Sequence, residues 1–349
     1  MNRAIAGALL LICVFVASSA AADDGAATDA GRAKTDLFVK ATTNSPEAAD
    51  LVAGFSKLNP DIAVHYTKIL STDLFASVTR PADAKDATDL VWSSAMDLQI
   101  KLANDGFASE YRSVEADNIP GWAQWKDVAY GVTTEPIVMV YNKRLLHDGM
   151  VPRDHADLLR VLTEHAAAFQ GKIATYDPEL SGTGLLFITQ DVRITPQTWK
   201  LVAALGRAGV KLYTSSNPMI DRVITGEFAL AYNVLGAYAL ERAKDNPDLG
   251  IVFPGDYTLL MSRIALIPRA AQNPAAARRF MDYLLSRAGQ AQMAAHSLNS
   301  VRNDVQPAVP GYAAKSLRPI ALNIDLLTYL DQAKRARFLT QWRRALQDQ

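Results

Sequence analysis

Apolar residues along this chain recur in two rhythms, every second position over short runs and every third or fourth over longer ones, and the rhythms alternate. The first run, Leu37-Phe38-Val39, reads as a strand. Ser45-Pro46-Glu47 then supplies an N-cap, a proline at the first helical position and an acidic first turn. The helix it opens carries Leu51, Val52, Phe55 and Leu58 on one face and stops at Asn59-Pro60. Ile62 to Tyr66 is a second strand, and Asp89 to Trp92 a third, followed by Ser93-Ser94 and a helix closing near Gly106. The same unit returns later. Ile173 to Tyr176, Phe228 to Tyr232 and Ile251 to Phe253 read as strands, and Thr195-Pro196, Asn217-Pro218 and Asn273-Pro274 open helices. Leu259 to Ile267 resumes strand character, and a long helical region runs from about Ile324 to Leu346.

Strands alternating with helices in this way predict an α/β protein with largely parallel sheets. Tyr130 to Asn142 is a longer extended run interrupted by Thr133-Thr134-Glu135 and Pro136, which suits a crossing between two lobes; Pro254-Gly255-Asp256-Tyr257 marks a second break. The expected division is a first lobe over 36–133, a second over 134–256, and completion of the first by 257–349 with the C-terminal helices. Ligands in open α/β sheets bind beyond the carboxyl ends of strands, which places the site in the cleft between lobes.

Residues 1–22 carry a signal and not fold. Arg3 is the positive start, Ala4 to Ala17 is apolar but short for a bilayer, and Ser18-Ser19-Ala20-Ala21-Ala22 offers a small-residue cleavage site. Residues 23–35 read as a flexible leader. Export to a bacterial periplasm as a soluble protein is expected. Cys13, the one cysteine, falls in the removed segment, and Ile12 before it stands where lipoprotein processing wants a small residue. Neither disulfide nor thiolate chemistry is expected.

Hydrophobic residues at 49% and charged residues at 21% exclude a disordered or collagen-like chain. The 36 basic residues balance 36 acidic ones, so the cationic surplus of a nucleic-acid binder is missing. Removing Arg3 leaves a charge near −1. His65, His147, His155, His165 and His296 include no pair at the spacing of a helical zinc site. There is no Gly-x-Ser-x-Gly elbow and no Walker A loop, and Gly182-Thr183-Gly184 fails the dinucleotide pattern at its third glycine. Nothing specifies an enzyme, and neither cofactor nor resident metal is expected. A hydrolase would need a base beside a loop serine, and no histidine is near one in sequence.

Four hydroxyl- or glycine-rich loops each follow a predicted strand and precede a helix: Thr42-Thr43-Asn44, Ser93-Ser94, Ser181-Gly182-Thr183-Gly184 and Thr214-Ser215-Ser216. Free N–H groups at a helix start, with hydroxyls beside them, cradle an anion without a formal cation; the alternative is that these residues only cap their helices. Arg263 interrupts an apolar strand and either reaches solvent over a sheet edge or points at the cleft, where it would make a bidentate contact to carboxylate or phosphate. Asn233 is a candidate hydrogen-bonder, whereas Tyr232 and Tyr238 read as packing residues. Trp122 and Trp125 either cover the cleft or pack. The candidate ligand set is therefore Thr42, Thr43, Ser93, Ser94, Ser181, Gly182, Thr183, Gly184, Ser215, Ser216, Asn233 and Arg263.

Asp89-Leu90-Val91-Trp92-Ser93-Ser94, Val140-Tyr141-Asn142, Gly171-Lys172-Ile173-Ala174, Gly226 to Asn233 and Tyr283 to Gln290 resemble, in order and spacing, the periplasmic solute-binding proteins of ABC transporters grouped with ferric-iron binders. The resemblance runs to about Asp304. It implies a two-lobed type II periplasmic-binding fold that closes on its ligand. Ferric binders of that group carry adjacent tyrosines where this chain reads Asn233-Val234-Leu235-Gly236-Ala237-Tyr238. Relatives lacking the pair are similar to binders of small organic anions, including sugar phosphates and aminophosphonates. The resemblance thus implies a monomer that captures a small phosphorylated or carboxylated solute for an ABC permease in the inner membrane. The alternatives are a sensor-kinase ectodomain as partner, or ferric iron as ligand.

Overall fold

The computed structural model describes residues 34–43, 45–80, 87–302, 304–305 and 316–348. The signal, Cys13, the leader through residue 33 and Asn44 lie outside the described residues. The chain opens with β1 (Thr35–Ala41), α1 (Ser45–Leu58), β2 (Ile62–Lys68), α2 (Ser71–Thr79), β3 (Leu90–Ser93) and α3 (Met96–Asn104), then β4 (Gln124–Trp125) and β5 (Ala129–Gly131). Alternation buries Leu37, Val39 and Ala41 of β1 completely, and helical spacing buries Leu51 and Phe55 of α1 against them.

The chain then builds a second layer of strands and helices: β6 (Glu135–Asn142), α4 (His155–Glu164), α5 (Ala166–Phe169), β7 (Ile173–Tyr176), α6 (Gly182–Ile194), α7 (Thr198–Arg207), β8 (Lys211–Tyr213), α8 (Ser216–Thr225), β9 (Leu230–Leu235), α9 (Gly236–Ala243), β10 (Leu249–Val252) and β11 (Thr258–Met261). It returns through β12 (Ile264–Leu266), α10 (Pro274–Leu285) and α11 (Arg287–Ala295), and ends with β13 (Leu317–Pro319), a 3₁₀ stretch at Ile324–Leu330 and α12 (Gln332–Gln347).

Among the described residues two sheets form. The first has the order β2-β1-β3-β12-β5-β4; the second has β13-β11-β6-β9-β7-β8, with β10 also on β6. Both are mixed. β1 runs parallel to β2 and β3, and β7 parallel to β8 and β9, as βαβ crossovers require. The strands next to the lobe crossings, β6, β11 and β12, pair antiparallel with their main neighbours. The result is the two-lobed α/β fold expected, each sheet flanked by helices.

Two boundaries differ from the sequence expectation. The return to the first sheet comes at Ser262-Arg263, between β11 and β12, and not at Pro254 to Tyr257; the run 259–267 is two strands belonging to different sheets. The C-terminal part completes the first lobe only through β12, α10 and α11, and its last segment does not belong there. β13 pairs with β11 of the second sheet, and α12 packs on α7, burying Phe338 and Trp342 among Leu185, Ile188 and Val202. The 3₁₀ stretch reaches back to α3 of the first lobe, so Leu326 shares a cluster with Met96 and Ile100 as well as Val140 and Val223. Among the described residues no helix is long and apolar enough to cross a membrane.

Candidate functional site

Two of the chain's passages between the sheets run in neighbouring segments. Val132-Thr133-Thr134 leads from β5 to β6, and Ser262-Arg263 leads from β11 to β12. The segments are stitched together: Val132 N–H donates to the Arg263 carbonyl at 2.8 Å, and Arg263 N–H to Thr133 Oγ1 at 2.8 Å. Thr134 N–H donates to the Asn299 carbonyl at 2.7 Å.

Arg263 neither reaches solvent nor offers a free fork to a ligand. It is 1% exposed, and its guanidinium closes in bidentate fashion on Glu135, which is 0% exposed: Nε to Oε1 at 2.8 Å and Nη2 to Oε2 at 3.1 Å. The fork meets a carboxylate, as its geometry favours, but the carboxylate is the protein's own. Nη1 donates to Thr43 Oγ1 at 3.0 Å and Nη2 also to the Tyr238 hydroxyl at 3.3 Å. Thr133 Oγ1 donates to Glu135 Oε1 at 2.9 Å. Burial opposes the guanidinium charge, and Glu135 with Tyr238 more than offsets this, so Arg263 holds its proton more tightly than an ordinary arginine. The pair is electroneutral, and it is expensive to break from one side only.

The other expected residues divide by location. Thr42 and Ser94, at the ends of β1 and β3, form a half-exposed pair: Ser94 N–H donates to Thr42 Oγ1 at 3.1 Å, with their hydroxyls 3.4 Å apart. Ser93 is buried and turns inward to accept from Ala95 N–H at 3.1 Å. In the second lobe Ser181 caps α6, accepting from Gly184 N–H at 3.1 Å. Gly184 serves packing, because an added Cβ would lie 2.5 Å from Cβ of Tyr176. Gly182 is exposed with open space about it, and Thr183 is half-exposed. Ser215 is exposed at the start of α8. Ser216 is buried, sharing a 2.7 Å hydrogen bond with the Tyr176 hydroxyl and accepting from Leu235 N–H at 2.9 Å. Burial pushes the Tyr176 phenol up, and nearby Tyr238 and Glu135 add to the shift, so this group adjoins the Arg263 cluster.

Asn233 departs from expectation. It lies inside β9 and not after it, takes a left-handed φ of 59°, and donates from Nδ2 to buried Asp191 at 2.7 Å. Tyr232 beside it reaches the same carboxylate at 2.8 Å. Successive strand residues normally face opposite ways; here the left-handed residue, next to a register shift in the β6–β9 ladder, turns both to one side. The amide belongs to the interior of the second lobe.

Sequence reading missed Glu135, Tyr238, Tyr176 and Asn299. Glu135 had a signal, being the acid of the polar trio in the crossing, but its partner lies 128 positions away. Tyr238 read as packing. Asn299 is fully buried beside the crossing, and among the described residues neither side-chain amide atom has a partner.

The start of α6 opens on a cavity of about 300 Å³ that also touches α3 of the first lobe; Asp97, Gly182, Thr189, Asp325 and Tyr329 border it. Burial pushes the Asp97 carboxyl up, opposed by the Leu98 N–H and by Arg335. Asp325 pairs with Arg193 at 2.9 Å. Among the described residues His, Cys, Asp and Glu form no cluster of three or more that could hold a metal.

No curated protein sequence matches the chain. The substrate-binding protein of an ABC transporter from Agrobacterium tumefaciens is similar at 39% identity, with 92% of this chain and 96% of that one covered and a TM-score of 0.79. Iron-bound HitA from Pseudomonas aeruginosa matches at 17% identity, covering 89% of this chain and 99% of its own, with a TM-score of 0.73. AfuA from Actinobacillus pleuropneumoniae, solved with fructose-6-phosphate, matches at 18%, 90% and 99%, with a TM-score of 0.68. The last two share the fold. The profile of the bacterial extracellular solute-binding proteins matches residues 50–319. On that match, and on the 39% identity over nearly the whole chain, this protein belongs to the bacterial extracellular solute-binding protein family.

Proposed function

We propose that the protein captures a small organic anion, phosphorylated or carboxylated, between its lobes in the periplasm and delivers it to an ABC importer. The observation that carries this reading is the cavity of about 300 Å³ where the start of α6 in one lobe faces α3 in the other. Gly182 presents the N-terminal turn of a thirteen-residue helix there, with half-exposed Thr183 next to it in the same turn, and backbone N–H groups at such a turn favour negative charge. In the first lobe the half-exposed Thr42–Ser94 pair, outside the lining of that cavity, offers further hydroxyls. Arg263 is bound to Glu135, and Arg193, which borders the cavity, is paired with Asp325, so recognition rests on hydroxyls and helix-start donors and not on a free cation. The importer as partner follows the Agrobacterium relative, which serves an ABC transporter. A ligand touching both lobes would stabilise their closed arrangement.

Titration calorimetry with sugar phosphates, phosphonates and carboxylates, and in parallel with Fe(III) and Fe(III)-citrate, tests the reading. A phosphorylated or carboxylated compound is expected to bind, with Ser94→Ala and Thr183→Val each weakening it about tenfold. Binding of the iron species alone would refute the anion assignment.

A further inference from the structure

The outer contacts of Arg263 go to opposite lobes. Thr43 follows β1 in the first sheet, whereas Tyr238 stands on α9, directly after β9 of the second. Between them the guanidinium is fixed by a bidentate carboxylate, and that carboxylate is fixed by Thr133 in the crossing itself. We propose that Arg263 is a positioning residue that bridges the lobes: Glu135 anchors and neutralises it at the hinge, and its two free edges hold Thr43 and Tyr238 together in the closed arrangement.

The geometry limits the alternatives. Nε and one N–H of Nη2 go to Glu135, the other N–H of Nη2 to Tyr238 and one of Nη1 to Thr43, so a ligand gains a two-pronged contact from Arg263 only by displacing one of these partners. A head group held from the hinge cannot follow both lobes as they part. A rotation that separates Thr43 from Tyr238 by about 1 Å already takes one contact out of hydrogen-bond range. Both contacts involve a charged donor; the one to Thr43 is buried and the one to Tyr238 partly buried, so both are worth more than fully exposed equivalents and are less screened by salt. The inference needs lobes that hinge, not an anionic ligand, so its test is run without ligand and its outcome is separate from that of the titrations above.

Small-angle X-ray scattering on the ligand-free protein reads the test. Thr43→Val and Tyr238→Phe each remove one end of the bridge and leave the Arg263–Glu135 pair in place. Each is expected to shift the opening equilibrium about tenfold toward the extended form. The double variant should move it no further, because a bridge cut at one end has nothing left to lose at the other. Thr43→Ser, which keeps the hydroxyl, should scatter like the unmodified protein. Unchanged profiles in both single variants, including the case in which the unmodified protein is already extended, overturn the proposal; so do additive effects in the double variant.

Discussion

Asp191, fully buried on α6, accepts hydrogen bonds from the Tyr232 hydroxyl at 2.8 Å, Asn233 Nδ2 at 2.7 Å and the Tyr257 hydroxyl at 3.0 Å. Tyr257 in turn stacks on His155 with ring centroids 4.1 Å apart, and His155 Nδ1 meets Asp256 at 2.9 Å. Removing the acceptor strands three buried donors, so Asp191→Ala should cost at least about 3 kcal/mol in urea unfolding, against about 1 kcal/mol for Tyr232→Phe. Burial, and then Asp191, push both phenols above the usual value of 10.0. In the unfolded chain they ionise near 10; in the folded protein they hold their protons beyond it. Their contribution is complete below about pH 10 and is lost as pH rises further. Tyr232→Phe should therefore flatten the fall in stability above that pH. At this scale the sequence pointed to the polar residue Asn233 but not to its partner, which is 42 positions away and reached through a left-handed turn.

Helical and alternating periods located α1, the start of α10 and the strands β1, β2, β3, β7 and β10 within a residue or two, because those elements bury one regular face. Elements whose boundary depends on a pairing partner were less legible. Leu259 to Ile267 is one apolar run in which the ladder changes sheets at Ser262-Arg263, and local pattern does not record which strand lies opposite. α9 follows β9 with no loop, and Leu235 gives it no side-chain cap, so no punctuation marked its start. α12 shows why it is a helix but not what it packs on. Only Phe338, Leu339 and Trp342 are buried, and the receiving surface is made by α6 and α7. Gly206 of α7 is part of that surface, since an added Cβ would strike the Leu346 carbonyl. Trp342→Ala and Gly206→Ala should both speed hydrogen exchange throughout α12. The tryptophan variant should cost about 3 kcal/mol, and exchange in β1 should stay unchanged.

For the molecule as a whole, the two-lobed architecture was legible from the alternation of elements and from one polar interruption in an apolar crossing. The charge balance of 36 against 36 acquires a local counterpart, because the buried cation at the hinge is also matched. With no large field to steer a charged solute, the association rate should change little between low and physiological salt. Stopped-flow measurement with whichever anion binds in the titrations checks this, and a steep fall with salt would point to an exposed cationic entrance. The assignment of the last segment was not legible, and it has a practical consequence. The described chain begins in β1 of the first lobe and finishes in α12 on the second. A donor fluorophore fused near one end and an acceptor near the other would ride on different bodies. Closure would then become a change in energy transfer, and the protein a solute biosensor that needs no internal insertion.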